Sequence, residues 1–215
     1  MFLQSSIDKA RRGNYLDLGF IIDSSASFKD YYNVEKDFIK SIASRFDLDP
    51  YKTRTSVMSY SNYINMISKF SDFQGVPELK KAIDSAAFMG SNSRVDKALA
   101  EANDNMFSVK NGGRAGVKQI LVIVTDGVSS ASGIDPFAIA KKIKNQNIHV
   151  VVVAVGNSIQ PNSLDALGNQ VFYLTDYSDL GSLDFSAKVL DAVATEGKYF
   201  ISFLLKITGL IMLSS

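Results

Sequence analysis

The feature that most constrains the fold is a pair of short segments made almost entirely of apolar residues. They are residues 119–125 (QILVIVT) and Ile148–Val155 (IHVVVVAV), and an amphipathic segment, Pro136–Asn145, separates them. A strand that is apolar on both sides must be covered on both faces, and a helix between two such strands is the usual crossover of a parallel sheet. The pair therefore predicts the centre of a parallel sheet that has helices on both faces.

Shorter segments on either side of this pair continue the alternation of strand and helix. Apolar or β-branched runs predict further strands at residues 16–22, 53–60, 64–70 and 170–174. Apolar residues spaced three and four apart predict amphipathic helices at residues 31–46, 77–87, 95–107 and 183–195. A polar turn between the second and third strands predicts a hairpin. The fold class is therefore α/β, with a doubly wound, mainly parallel central sheet and helices on both faces.

One domain accounts for most of the chain. No internal repeat and no Pro- or Ser-rich linker interrupts residues 14–196, which we predict to be a single unit. Residues 1–13 are expected to be an N-terminal extension. They lack the apolar run of about 7–15 residues that a secretory signal requires.

The C-terminal tail, residues 197–215, is rich in apolar residues. Its segment 199–213 has about 15 residues and contains Lys206 and Gly209, whereas a membrane-spanning helix needs about 20 apolar residues. We therefore expect no membrane contact unless this tail is an anchor. A packed helix and an error in the gene model are the other two interpretations, and the sequence does not separate them.

Composition excludes several kinds of functional site. The chain has no cysteine, which rules out disulfides, thiol nucleophiles, zinc ribbons and iron–sulfur clusters. Its single histidine, His149, rules out a multi-histidine metal site. A formal net charge of +1 gives no overall field that attracts nucleic acid, so we expect no nucleic-acid partner.

Oxygen-bearing side chains follow the predicted strands where a doubly wound sheet forms its functional crevice. Asp23, Ser25 and Ser27 follow the first strand, Asp126 follows one of the two central strands, and residues 90–93 add further hydroxyls before a predicted helix. Taken singly, such residues are more often helix caps or turn formers than ligands. Together they are an oxygen-only set with two carboxylates, which suits Mg²⁺ or Mn²⁺.

These motifs resemble a known family. Asp23-x-Ser25-x-Ser27, a hydroxyl before the helix that contains Ala98-Leu99, and Thr125-Asp126-Gly127 are similar to the three metal loops of the von Willebrand factor type A (VWA) domain. In that family the three loops form the metal-ion-dependent adhesion site, abbreviated MIDAS. The resemblance extends over about residues 15–196. The stretch 95–127 is most similar to the extracellular-matrix branch, which includes the matrilins and the collagens that carry VWA domains.

The resemblance implies a role for each of five residues. Ser25, Ser27 and the hydroxyl of the second loop would ligate the metal directly, and Asp23 and Asp126 would hold metal-bound waters. Counting back from Ala98-Leu99 places the second-loop hydroxyl at Ser93, where the family usually has Thr. Because Ser is less restricted than Thr at χ1, we expect a looser and weaker site.

A second departure from the family pattern follows the third loop. Val128 stands where the family often has an acidic or polar residue. This replacement removes one outer contact and is expected to lower metal affinity without affecting the fold.

The resemblance also implies a non-enzymatic function. In this interpretation the chain is an extracellular adhesion or matrix module that uses Mg²⁺ or Mn²⁺. An acidic side chain from a protein partner, such as a collagen or another matrix protein, would complete the coordination of the metal. The helix at residues 183–195 would be a movable element, since its shift is coupled to the metal loops in some members of the family.

Two alternatives remain open. One keeps the fold but makes the chain a metal-free structural spacer. The other is a Mg²⁺-dependent hydrolase or phosphotransferase on a similar sheet, which would need an aspartate nucleophile with a second acid two residues later. Ser25 occupies that second position, so we expect no catalytic residues.

Overall fold

A computed structural model of the chain describes residues 15–72, 75–127 and 134–207. The strands in these ranges are β1 Leu16–Asp23, β2 Arg54–Tyr60, β3 Ile64–Ser68, β4 Lys118–Thr125, β5 Ile148–Val155 and β6 Gln170–Leu174. The α-helices are α1 Tyr32–Ala43, α2 Val76–Ser85, α3 Val95–Glu101, α4 Pro136–Asn145 and α5 Leu183–Ile207. Each of these elements lies on a segment that the sequence pattern predicts, with ends that differ by a few residues in most cases.

The strands form one sheet in the order β3-β2-β1-β4-β5-β6. All neighbouring strands are parallel except β2 and β3, which form the predicted antiparallel hairpin at one edge. The chain builds outward from β1 in one direction and then returns to add β4 on the other side. The switch point of this doubly wound sheet is therefore between the carboxyl ends of β1 and β4.

Each face of the sheet is covered by helices, which confirms the predicted α/β architecture. Apolar residues of α1, α2 and α5, such as Phe38, Ile83 and Val193, pack with one face of the sheet in a single core cluster. Residues of α3 and α4, such as Leu99 and Ile143, pack with the other face in a second cluster. The central strands β1, β4 and β5 supply residues to both clusters, as apolar strands in a parallel sheet should.

Two helices differ from the prediction at their C-terminal ends. The predicted helix 95–107 is α-helical only as far as Glu101, and the next five residues, Ala102–Met106, form a π-helical turn. The pattern of apolar residues did not predict this change of helix type, because Ala102 and Met106 are four residues apart, a spacing that an amphipathic α-helix also has. Beyond the turn, Phe107 packs so closely on Gly19 that a Cβ at Gly19 would lie 2.8 Å from the Phe107 ring.

Helix α5 is longer than the predicted 183–195, since it continues without a break to Ile207. Gly197 does not end it, because an interior glycine costs only about 1 kcal/mol relative to alanine and no proline follows. The helix therefore crosses the predicted domain boundary at residue 196, and that boundary stays a prediction. Among the described residues, the structure has no helix that is both long and apolar enough to span a membrane. Residues 1–13, the end of the tail and Val128 lie outside the described residues.

Candidate metal centre

Three loops meet at the switch point between β1 and β4. The first follows Asp23 at the end of β1, the second precedes α3 and contains Ser93, and the third follows Thr125 at the end of β4. A hydrogen bond from the Ser93 hydroxyl to Asp23 Oδ2 (3.1 Å) joins the first two loops. A backbone hydrogen bond from the Ala26 N–H to the Ser91 carbonyl (2.8 Å) joins them a second time.

The first loop turns sharply because Asp23 bonds to its own backbone. Asp23 Oδ1 accepts the N–H of Ser25 at 2.8 Å, which is an Asx turn. A short 3₁₀ helix, Ala26–Phe28, follows and brings the hydroxyl oxygens of Ser25 and Ser27 to 3.0 Å from each other. Ser25 is buried and Ser27 is exposed, so this hydroxyl pair extends from the interior of the loop to its surface.

Asp23 is a fully buried carboxyl group with several donors. The Tyr60 hydroxyl donates to Asp23 Oδ2 at 2.6 Å, in addition to the bonds from Ser25 and Ser93. Burial raises the pKa of Asp23 to about 6, the hydrogen bonds from Ser25 and Tyr60 lower it, and the nearby charge of Asp126 raises it. A cation at this position would favour the ionised form and would oppose the effect of burial.

Asp126 reaches the centre from β4 and is half-buried. The Tyr177 hydroxyl lies 3.5 Å from Asp126 Oδ2. The Tyr177 ring packs edge-on against Phe28 and stacks on Tyr31, with ring centroids 5.0 and 4.9 Å apart. Burial, together with the charges of Asp126 and Asp23, raises the pKa of Tyr177 to about 12. The short 3₁₀ helix that contains Tyr177 and precedes α5 is therefore packed directly on the first and third loops.

Sequence reasoning missed two buried residues of this centre. The Tyr60 hydroxyl also lies 3.2 Å from Thr125 Oγ1, so this side chain bridges the first and third loops. Its position at the end of β2, opposite Asp23 in the sheet, was the available signal. Glu35 on α1 accepts the backbone N–H of Asp23 at 2.8 Å. It stands three residues after Tyr32 and three before Phe38, so the helical period already placed this acid on the buried face.

The residues present fit a hard divalent cation. Asp23, Ser25, Ser27 and Ser93 are joined by hydrogen bonds, and Asp126 acts on Asp23 through its charge. Every side-chain atom in this group that could ligate a metal is an oxygen, the ligand type that Mg²⁺ and Mn²⁺ prefer. Within the described ranges, no three Asp, Glu or His side chains are grouped so that they could hold a metal ion. A metal here would therefore depend on the serine hydroxyls and on water.

Comparisons with known proteins point in one direction. A family model described as the von Willebrand factor type A domain matches residues 17–185. Matrilin-2 of Mus musculus is 30% identical over 190 residues, which cover 84% of this chain and 19% of that protein. The von Willebrand factor A domain-containing protein 2 of Xenopus laevis is 28% identical over 187 residues, covering 85% of this chain and 23% of that protein.

A third relative and a solved structure agree with these matches. The collagen alpha-1(XXI) chain of Xenopus laevis is 28% identical over 167 residues, covering 75% of this chain and 17% of that protein. The chain thus spans less than a quarter of each of these three relatives. Proximal thread matrix protein 1 from the mussel byssus, solved with a zinc-occupied MIDAS motif, superposes with a TM-score of 0.76 at 22% identity. That match covers 84% of this chain and 48% of the mussel chain, and it bears on the fold alone.

Proposed function

The chain belongs to the von Willebrand factor type A domain family, and we propose that it is a non-enzymatic adhesion module that binds a protein partner through a divalent metal. The observation that carries the proposal is the hydrogen-bonded group of Asp23, Ser25, Ser27 and Ser93 at the switch point. Its hydroxyls and carboxylate come from two different loops and meet at the position where doubly wound sheets bind ligands.

In this proposal the serine hydroxyls and the two carboxylates have different roles. Ser25, Ser27 and Ser93 hold the cation through neutral hydroxyl oxygens, and Asp23 and Asp126 balance its charge from the periphery. Neutral ligands leave the cation electrophilic enough to accept a carboxylate from outside. The bound Mg²⁺ or Mn²⁺ would supply that acceptor position, and an acidic side chain of the partner would fill it.

The relatives support an extracellular setting and a matrix partner. Matrilin-2 and the collagen alpha-1(XXI) chain are extracellular-matrix proteins, and the mussel protein with the same fold has a metal in its MIDAS motif. We therefore propose a secreted location and a matrix protein, such as a collagen, as the class of partner.

The second candidate function is a metal-free structural spacer on the same fold. One observation favours it: Asp23 already receives hydrogen bonds from Tyr60, Ser93 and the Ser25 N–H, so the loops hold together through protein groups alone. The two candidates differ in whether the folded chain binds a cation.

Thermal unfolding in the presence of Mn²⁺, Mg²⁺ or EDTA separates the two candidates. A ligand that binds only the folded state raises the unfolding midpoint. At a ligand concentration of about one hundred times the dissociation constant, it adds about 2.7 kcal/mol to the free energy of unfolding. We expect Mn²⁺ to raise the midpoint of the parent chain and of Ser85→Ala, a control whose exposed hydroxyl donates to the Lys81 carbonyl of its own helix. The variant carrying both Ser25→Ala and Ser27→Ala should not respond.

A binding assay then tests the partner class. Immobilised matrix proteins, including collagens, should retain the parent chain in Mg²⁺ or Mn²⁺ and release it in EDTA.

Two outcomes would contradict the proposed function. An unfolding midpoint that is the same in Mn²⁺ and EDTA would favour the metal-free spacer. Hydrolysis of a generic phosphoester in Mg²⁺ would contradict the non-enzymatic proposal.

A further inference from the structure

Glu35 is the most unusual polar residue near the metal loops. It lies on the inner face of α1, where the neighbouring inward residues include Phe38 and Ile39, and its side chain is fully buried. One carboxyl oxygen, Oε1, accepts the Asp23 N–H at 2.8 Å. The other, Oε2, is buried and has no hydrogen-bond partner in the described part of the chain.

The direction of the Asp23 N–H places this carboxyl group at the switch point. Successive N–H groups of a strand point alternately to its two neighbours. The next N–H, that of Ser24, bonds to the Tyr60 carbonyl of β2, so the Asp23 N–H points toward β4. Glu35 therefore reaches from α1 into the gap between the ends of β1 and β4, below the metal loops.

The charges around Glu35 indicate the same position. Burial and the charges of Asp23 and Asp126 raise the pKa of Glu35 well above its ordinary value, against the effect of its bond with the Asp23 N–H. The Glu35 carboxyl group is thus close enough to the acidic residues of the first and third loops for their charges to repel its ionised form. It is not grouped with them as a three-acid metal ligand set within the described ranges.

An unpartnered buried acceptor requires a physical explanation. Buried side-chain oxygens nearly always have a donor, and an apolar residue at this position would avoid the cost of desolvation. Three hydroxyls at the switch point donate to groups other than Glu35: Tyr60 and Ser93 donate to Asp23, and Thr125 donates to the Gly127 carbonyl. Water that accompanies a hydrated cation is a donor of the required kind.

We propose that Glu35 is a positioning residue of the metal centre. Through Oε1 it fixes the backbone of Asp23, and through Oε2 it accepts a hydrogen bond from water that accompanies the cation. This inference rests on the proposed metal-dependent function. It adds a buried acid on α1 to a centre whose other groups come from the three loops.

Glu35→Gln is the decisive variant, because it keeps the size of the side chain. The amide oxygen can still accept the Asp23 N–H, which places the NH₂ group where Oε2 was, and an NH₂ group cannot accept a hydrogen bond. Loss of such an outer acceptor typically weakens metal binding by about 10- to 100-fold. We expect a loss of this size in the Mn²⁺ affinity of Glu35→Gln, measured by calorimetry. Glu78→Gln on the exposed side of α2 is the matched control and should bind as the parent does.

Two further measurements distinguish positioning from a purely structural role. The amide proton of Asp23 should keep its hydrogen-bonded chemical shift in Glu35→Gln and lose it in Glu35→Leu. The unfolding midpoint of Glu35→Gln in EDTA should equal that of the parent or exceed it. Mn²⁺ affinity within twofold of the parent in Glu35→Gln would overturn the inference and leave the proposed function intact. Absence of Mn²⁺ binding in the parent would instead overturn the proposed function and this inference with it.

Discussion

At the residue scale, Asp23 connects all the parts of the candidate centre. Its carboxylate binds the backbone of its own loop at Ser25, the hydroxyl of the second loop at Ser93, and Tyr60, which in turn contacts the third loop at Thr125. Its backbone N–H binds α1 through Glu35. A change at one loop is therefore expected to be transmitted to the others through a single buried carboxyl group.

Asp126→Ala should remove metal binding and leave the fold intact. Asp126 is half-buried at a strand end, so its removal leaves no cavity in either core cluster. Its charge also raises the pKa of Asp23, and its loss relieves that repulsion. We expect the unfolding midpoint in EDTA to be unchanged or higher and the Mn²⁺-induced increase to disappear. Equal Mn²⁺ affinity in Asp126→Ala and the parent would contradict the assignment of the third loop.

Ser93→Thr should preserve or tighten metal binding. The substitution keeps the hydroxyl and narrows its rotamers, and ordering one short side chain in advance is worth about 0.3–1 kcal/mol. Calorimetry with Mn²⁺ measures the change directly. A clear weakening would show that another hydroxyl of the second loop is the ligand. Ser91 is the first candidate, and Ser91→Ala is therefore the companion variant.

The candidate centre was predictable from the sequence where its residues follow strand ends and, for Ser93, where a hydroxyl precedes a helix. Asp23 and Asp126 were identified because β1 and β4 each contain an apolar run that is followed by polar residues. Tyr60 and Glu35 were missed because an aromatic residue in a strand and a single acid in an amphipathic helix have many ordinary explanations. Their roles depend on distances between elements that are remote in the chain, and no local pattern encodes those distances.

At the element scale, the segment before α5 packs on the loops of the candidate centre, and the middle of α5 contacts the start of two central strands. Tyr177, in the 3₁₀ helix that precedes α5, packs on Phe28 and approaches Asp126. In the middle of α5, Glu196 lies 3.5 Å from Lys118 Nζ of β4 and 3.4 Å from His149 Nδ1 of β5. The segment from Tyr177 to Glu196 is therefore attached near both ends of the sheet, a geometry in which displacement at one attachment would be transmitted to the other.

The ends of the elements were less predictable than their existence. Strand β5 and helix α4 have the predicted bounds, because an almost entirely apolar run and a proline at the first helical turn are clear signals. Helix α5 extends past its predicted end because Gly197 weakens a helix without stopping it. The π-helical turn Ala102–Met106 was not predicted, because its apolar residues are also consistent with a continuous α-helix.

Protonation of the single histidine, His149, should destabilise the fold as the pH falls, because burial disfavours the charged form of its side chain, which lies beside Glu196 of α5. Burial lowers the pKa of His149 from its ordinary 6.5, Glu196 opposes this effect, and Lys118 adds to it. Because the pKa is lower in the folded chain than in the unfolded one, the stability that neutral His149 contributes is complete above about 6.5. It is lost as the pH falls through the folded-state value.

One imidazole signal in an NMR titration tests this prediction. We expect a midpoint below 6.5 in the parent, a higher one in Lys118→Met, which removes a repelling charge, and a lower one in Glu196→Gln, which removes an attracting charge. The loss of stability between about pH 7.5 and 5.5 should be smaller in His149→Val than in the parent. A titration midpoint at or above 6.5 would show that the attraction of Glu196 outweighs burial.

At the scale of the whole molecule, α5 is longer than the sheet it covers. Its 25 residues span about 37 Å, whereas the 8 residues of β4 span about 26 Å. Glu196 already lies beside Lys118, the first residue of β4, so the turns that follow run past the amino end of the sheet. The metal loops are at the opposite, carboxyl end of the sheet, so the last turns of α5 are remote from them.

Ending the chain at Gly197 should leave the fold and the metal response unchanged. Over residues 183–197, the part of α5 whose burial the structure describes, the members of the core cluster are Phe185, Val189, Leu190, Val193 and Ala194. Glu196, which pairs with Lys118 and His149, is also retained. We expect the same unfolding midpoint in EDTA and the same Mn²⁺-induced rise of that midpoint for the shortened chain and the full chain.

The contrasting variant is Leu190→Ala, which should lower the free energy of unfolding by about 2–5 kcal/mol because it opens a cavity under the same helix. If the shortened chain instead loses stability or changes its Mn²⁺ dependence, the tail is coupled to the metal loops through α5. Identical behaviour would exclude that coupling, and the adhesion proposal would then depend only on residues at the carboxyl end of the sheet.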